Sequence, residues 1–68
     1  VQVRTSYTFN GSFEIDDAAH HAAGRMSDFS GAGVGMRDLG WVCQSEIEAE
    51  RIARGLRKIG LTPEIRNT

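Results

Sequence analysis
The residues of this 68-residue chain whose types could carry chemistry are two adjacent histidines, His20 and His21, one cysteine, Cys43, and three alternating glycines, Gly31, Gly33 and Gly35. The histidines lie in a segment with helical periodicity. Neighbours there leave the helix about 100° apart and cannot close on one metal ion from one face. Zinc takes three or four ligands, commonly at i,i+4 spacing or in paired cysteine knuckles, and Cys43 is the one other soft ligand. Asp17 and His21 stand four apart and read as a surface pair. No metal is expected. The glycines form G-x-G-x-G, yet a dinucleotide loop places its glycines after a strand and before a helix, where amides converge on a pyrophosphate. Here the order is reversed, so a flexible loop or a close-packed strand is expected, and no cofactor. Cys43 alternates with Trp41 and Leu39, which predicts burial, and a buried apolar thiol is inert. Paired carboxylates and a serine triad do not stand out. With the usual role-holders of an active site missing, the chain is not expected to be an enzyme.

The element that must position everything else is Ser45–Gly60, SEIEAERIARGLRKIG. Ser45 is a good N-cap, and Glu48, three residues on, completes a capping box. Acidic residues crowd the first turns and Arg54, Arg57 and Lys58 the last, which suits the helix dipole. Glu50 and Arg54 form an i,i+4 pair in the favourable orientation. Ala49, Ile52, Ala53, Leu56 and Ile59 share one face. Gly60 supplies the left-handed C-terminal residue, and Pro63 discourages continuation. Gly55 costs up to about 1 kcal/mol against Ala and suggests a close approach by another element.

Upstream, Val1, Val3, Thr5, Tyr7 and Phe9 alternate with polar residues and read as a half-buried strand. Asn10-Gly11 is the commonest two-residue hairpin turn, with Phe13 and Ile15 as a short return strand or as the loop to the next helix. That helix is expected from a cap at Asp16 or Asp17 to about Phe29, with Ile15, Ala18, Ala19, Ala22, Met26 and Phe29 as its apolar stripe. Ser30–Gly35 is a breaker segment by composition. Ala32–Met36 reads as a short strand, Arg37–Gly40 as a turn and Trp41–Gln44 as the next strand. The alternative is one strand from Met36 to Gln44. Leu61–Arg66 is the last strand, and since Pro63 has no amide to donate it lies at an edge or carries Pro63 at a non-bonded position.

The order is strand, helix, strand, strand, helix, strand. Two such halves with right-handed crossovers give a single α+β domain over residues 1–68, a ferredoxin-like βαββαβ sandwich with a four-stranded antiparallel sheet and both helices on one face. The runner-up keeps the Asn10-Gly11 hairpin in the sheet and fuses the two middle strands.

The balance of 8 basic and 9 acidic residues, formally −1, argues against a broad electrostatic grip on nucleic acid or acidic membrane. No apolar run approaches the roughly 18 residues of a membrane span, and no signal-peptide pattern opens the sequence. A lone cysteine suggests a reducing, cytoplasmic setting. A core of this size rarely yields more than about 3–5 kcal/mol without disulfides, metal or a partner. With sheet edges to protect, a homodimer or a tight hetero-complex is expected.

One surface resists a purely structural reading. Ile47 falls opposite the core stripe of its helix, in line with Arg51, Arg54 and Lys58 at spacings of four, three and four. Such a stripe is ordinarily a solvated basic face; as a contact surface, an apolar anchor beside a basic ridge suits an acidic protein patch or phosphates. The next candidates are Met36, Arg37 and Asp38, expected in a mobile glycine-rich loop. The chain is therefore expected to bind rather than catalyse: a small regulator, adaptor or phage-type inhibitor of host machinery, its partner a protein or a second copy of itself. The second class is a nucleic-acid module. RNA-recognition sheets stack bases on exposed strand aromatics, and Tyr7, Phe9 and Trp41 lie on strands here, but the basic–Gly–aromatic string of such modules is missing. An enzyme or enzyme subunit ranks third. Trp41–Arg66 also resembles half of a cell-wall-binding SPOR domain, through one generic unit without a diagnostic residue, and no function is taken from it.

Overall fold
Ser45 opens its helix as predicted: its Oγ accepts from the Glu48 amide at 3.1 Å. Helix α2, Glu46–Lys58, follows in a computed structural model that describes residues 1–67. The reciprocal half of the capping box is displaced by one residue, because Glu48 Oε1 accepts from the Gln44 amide at 3.2 Å rather than from Ser45. Gly60, at φ +88, closes the other end. Its amide bonds Arg57 O at 3.0 Å and the Leu61 amide bonds Leu56 O at 3.1 Å, the paired bonds of a Schellman motif.

The first helix is shorter than its periodicity suggests. Helix α1 spans Glu14–Ala23, not Asp16 to Phe29. It starts earlier, with Phe13 at the N-cap and Ser12 Oγ accepting from the Glu14 amide at 3.2 Å. Neither Asp16 nor Asp17 is the cap. It ends earlier because Gly24 turns left-handed at φ +82. The apolar stripe contracts with it: Ala19 and Ala23 are buried, Met26 is exposed, and Phe29 begins a strand.

The strands are β1, Gln2–Thr8, β2, Phe29–Gly33, β3, Met36–Val42, and β4, Glu64–Arg66. They form one antiparallel sheet in the order β2-β3-β1-β4. The expected ferredoxin-like sandwich is present in its element order and its single antiparallel sheet. Two local expectations are corrected. Arg37–Gly40 is the middle of β3, not a turn, so the alternative of one strand from Met36 onward is right. The tight turn is Val34-Gly35, both at positive φ (+52 and +75), as a two-residue hairpin requires. Asn10-Gly11 makes no hairpin. Asn10 Oδ1 accepts from the Ser12 amide at 3.1 Å, a local Asx turn that leads into α1, so the runner-up topology falls.

Alternation along β1 and β3 sends Val3, Thr5, Tyr7, Leu39 and Trp41 into one core with Ala19, Ala23, Ala49, Ile52, Ala53 and Leu56 of the helices. Small residues let α1 and α2 meet closely. A Cβ at Gly55 would stand 2.4 Å from Ala22 O, which is why the helix tolerates its poor helix former there. Thr5 Oγ1 and Tyr7 Oη are buried without a hydrogen-bond partner among the described residues. An unpaired buried hydroxyl costs about 1–3 kcal/mol. Thr5→Val keeps the branched shape and removes that hydroxyl, so it is expected to raise stability by roughly 1 kcal/mol. A fall in the urea midpoint would show that the hydroxyl is satisfied in solution.

Candidate functional site
The face of α2 turned away from the core is set by the helix itself. With Ala49, Ile52, Ala53 and Leu56 buried, residues about half a turn away must face solvent. Ile47, Arg51, Arg54 and Lys58 do, and Ile47 is 84% exposed. The sequence-predicted stripe is therefore brought together on one surface. Glu46 and Glu50 join Ile47, Arg51 and Arg54 around a shallow open groove, so the face is acidic at its N-terminal end and basic towards Lys58. Ion pairs among the described residues use Arg25, Arg37 and Arg66. Arg51, Arg54 and Lys58 are in none of them, and the expected Glu50–Arg54 pair is not closed. Arg51 has one structural neighbour: its Nη1 lies 3.8 Å from where a Cβ of Gly24 would stand, over the C-terminus of α1, where a cation is favourable.

The second set of candidates does not form a mobile loop. Met36, Arg37 and Asp38 belong to β3, so period-two alternation sends them to opposite faces. Arg37 turns to the helix side and grips Asp16 with Nε (3.0 Å) and Nη2 (2.8 Å) on Oδ2. That carboxylate pushes the guanidinium pKa up. Asp38 lies on the other face and accepts from the Ser6 hydroxyl. The three therefore cannot meet one partner together.

The strand aromatics are equally divided. Tyr7 and Trp41 are buried under the helices, and the Trp41 indole donates to Arg25 O at 3.1 Å. On the open face the aromatic is Phe29, which begins β2 although its spacing predicts the end of a helix. Its ring lies over Gly40, where a Cβ would come within 2.1 Å of it. The Arg4 guanidinium stands 5.3 Å from its centroid, a cation–π contact. A half-buried ring engaged by a glycine backbone and a guanidinium has little surface left for a base.

Two further clusters were not legible in sequence. Asp28 accepts from Arg25 Nη1 at 2.9 Å and from the Val42 amide at 2.6 Å, and Arg25 Nη2 donates to Val42 O at 2.7 Å. The Arg25 hydrogen bond holds the Asp28 carboxyl below its ordinary range. This clip ties the α1–β2 connection to β3. His20 Nε2 lies 3.1 Å from Ser27 Oγ, with its ring edge-on to Trp41. A nucleophilic pair also needs a group that orients the base, and His20 has no second hydrogen-bond partner among the described residues, so the contact reads as structural. Burial pushes the Cys43 thiol up, with the Glu48 charge adding to it, as its alternation with Trp41 implies. No three His, Cys, Asp or Glu side chains among the described residues converge as metal ligands.

The chain matches no family model, no curated protein and no solved structure. No helix among the described residues is long and apolar enough to cross a membrane.

Proposed function
We propose that this chain is a small binding domain, a regulator, adaptor or inhibitor, that acts by docking the outer face of α2 on an acidic patch of another protein. One observation carries the reading: Ile47 is 84% exposed in line with three cations that no acid among the described residues engages. A solvated helix face has no need of the isoleucine. An interface has, because central apolar side chains supply the contact while guanidinium forks hold carboxylates in two bonds. Catalysis is the weaker reading, since His20, Cys43 and the carboxylates are each engaged or apart. So is nucleic acid, since Tyr7 and Trp41 are buried and Phe29 is already engaged by Gly40 and Arg4.

The test is a double charge reversal, Arg51→Glu with Arg54→Glu, in a pull-down from the native cell followed by titration of the recovered partner. The variant is expected to fold, by its circular dichroism, and to lose at least about 2 kcal/mol of binding, roughly thirtyfold. Wild-type affinity should fall as salt rises. Ile47→Ala should act through faster dissociation. A folded double variant that binds as wild type would remove this face from consideration.

A further inference from the structure
The two edges of the sheet are treated differently. Strand β4 is three residues long, follows Pro63 and carries Glu64 and Arg66, which are ordinary means of discouraging edge pairing. Strand β2 has none of these. Phe29-Ser30-Gly31-Ala32-Gly33 bears no charge and no proline, lies outermost in the sheet, and is exposed from Ser30 to Gly33. The helices do not cover it on one face, and the other face is open.

The register says which backbone groups are unpaired. Gly33 and Met36 flank the two-residue turn, so they exchange hydrogen bonds with each other. By alternation Gly31 and Phe29 also bond towards β3, and the amides and carbonyls of Ser30 and Ala32 point outward. From these positions we infer that β2 is the pairing edge for a second copy of this chain, joined antiparallel about a two-fold axis at Gly31. Ser30 then exchanges hydrogen bonds with Ala32 of the other copy. Gly31 faces Gly31 at the non-bonded position, where the two Cα atoms come closest. Phe29 faces Gly33, which has no side chain to displace the ring from its place over Gly40.

Charge is consistent with this pairing. No charged residue of β2 opposes a like charge, because β2 has none. In this register Asp28 falls level with Val34 of the other copy. Val34 is fully exposed at φ +52, a conformation that β-branched residues rarely adopt and that Asn or Gly would fill at less strain. Beside the Asp28–Phe29 step of a second copy its side chain gains a neighbour that it lacks in the monomer. A pairing of five residues is small against the roughly 1,200 Å² of a standard stable interface, so the dimer is expected to be concentration-dependent. It leaves the α2 face free and does not rest on the docking proposed above.

Sedimentation equilibrium over about a hundredfold range of concentration tests it, beside amide hydrogen exchange. The wild type is expected to pass from monomer to dimer, with the Ser30 and Ala32 amides becoming protected as it does. Ser30→Lys, at an exposed position, and Ala32→Pro, which removes an outward amide, should each weaken the dimer at least about tenfold. Both should keep the wild-type circular dichroism. Arg51→Glu/Arg54→Glu should dimerise as wild type. A wild type that stays monomeric throughout overturns the inference. So does a dimer that survives both β2 variants, or one in which these two amides exchange freely.

Discussion

Trp41→Ala is expected to leave the chain unfolded at room temperature. Trp41 is the largest fully buried side chain and stands mid-sheet, paired with Val3 of β1. Its ring meets the His20 ring edge-on, centroids 6.1 Å apart, and its indole donates to Arg25 O at 3.1 Å. Truncating a buried Trp removes about 3–5 kcal/mol by lost transfer and a residual cavity. Here it also strips a carbonyl of its donor, which adds roughly 1 kcal/mol. A domain of this length has about 3–5 kcal/mol in total unless something else holds it, so the loss matches or exceeds the supply. Trp41→Phe keeps most of the apolar volume and loses only the indole donor, and it should fold with a lowered urea midpoint. Circular dichroism of the two variants separates the outcomes. A cooperative melt for Trp41→Ala above about 40 °C would mean that the core is much stronger than its size allows.

The legible parts of the fold are those whose signals are local. Ser45, Glu48 and Gly60 act within one turn of where they stand, and α2 begins and ends where they say. The outer position of Ile47 followed from helix geometry alone. Non-local or conflicting signals mislead. Gly24 marks the end of α1, but Met26 and Phe29 continue the helical spacing beyond it, so the two signals conflict. Asn10-Gly11 is the stronger hairpin signal by residue type, yet the hairpin forms at Val34-Gly35, where a β-branched residue takes a left-handed conformation that its type disfavours. The distribution of Met36, Arg37 and Asp38 over two faces follows once β3 is a strand, and a segment preceded by three alternating glycines did not read as one. The Arg25–Asp28 clip and the Phe29–Gly40 stack join separate elements, so no spacing rule could reveal them.

The same non-locality gives the second large effect. Asp16 and Arg37 are 21 residues apart, and their pair fastens the first turn of α1 to the middle strand β3. The Asp16 side chain is only 5% exposed and that of Arg37 16%, with the Phe13 ring 5.5 Å from the guanidinium. Asp16 also lies in the first turn of its helix, where the dipole favours a negative charge by about 0.3–1 kcal/mol, too little to replace a lost guanidinium. Arg37→Ala leaves a carboxylate buried with its main partner gone. Breaking a fully buried pair this way costs about 3–5 kcal/mol. The partial exposure of Arg37 and the helix terminus bring the expectation down to roughly 2–3 kcal/mol. The cost comes from the orphaned charge rather than from the pair's net worth, and this separates two predictions. Asp16→Ala with Arg37→Met removes both charges and keeps the aliphatic reach of the arginine, so the double variant should be more stable than Arg37→Ala alone, by about 1 kcal/mol or more. Urea unfolding of the single and double variants measures the difference directly. A double variant no more stable than Arg37→Ala would mean that neither the orphaned carboxylate nor the aliphatic packing of Arg37 sets the cost, and that Asp16 gives α1 as much through the helix dipole as its unpaired charge takes away.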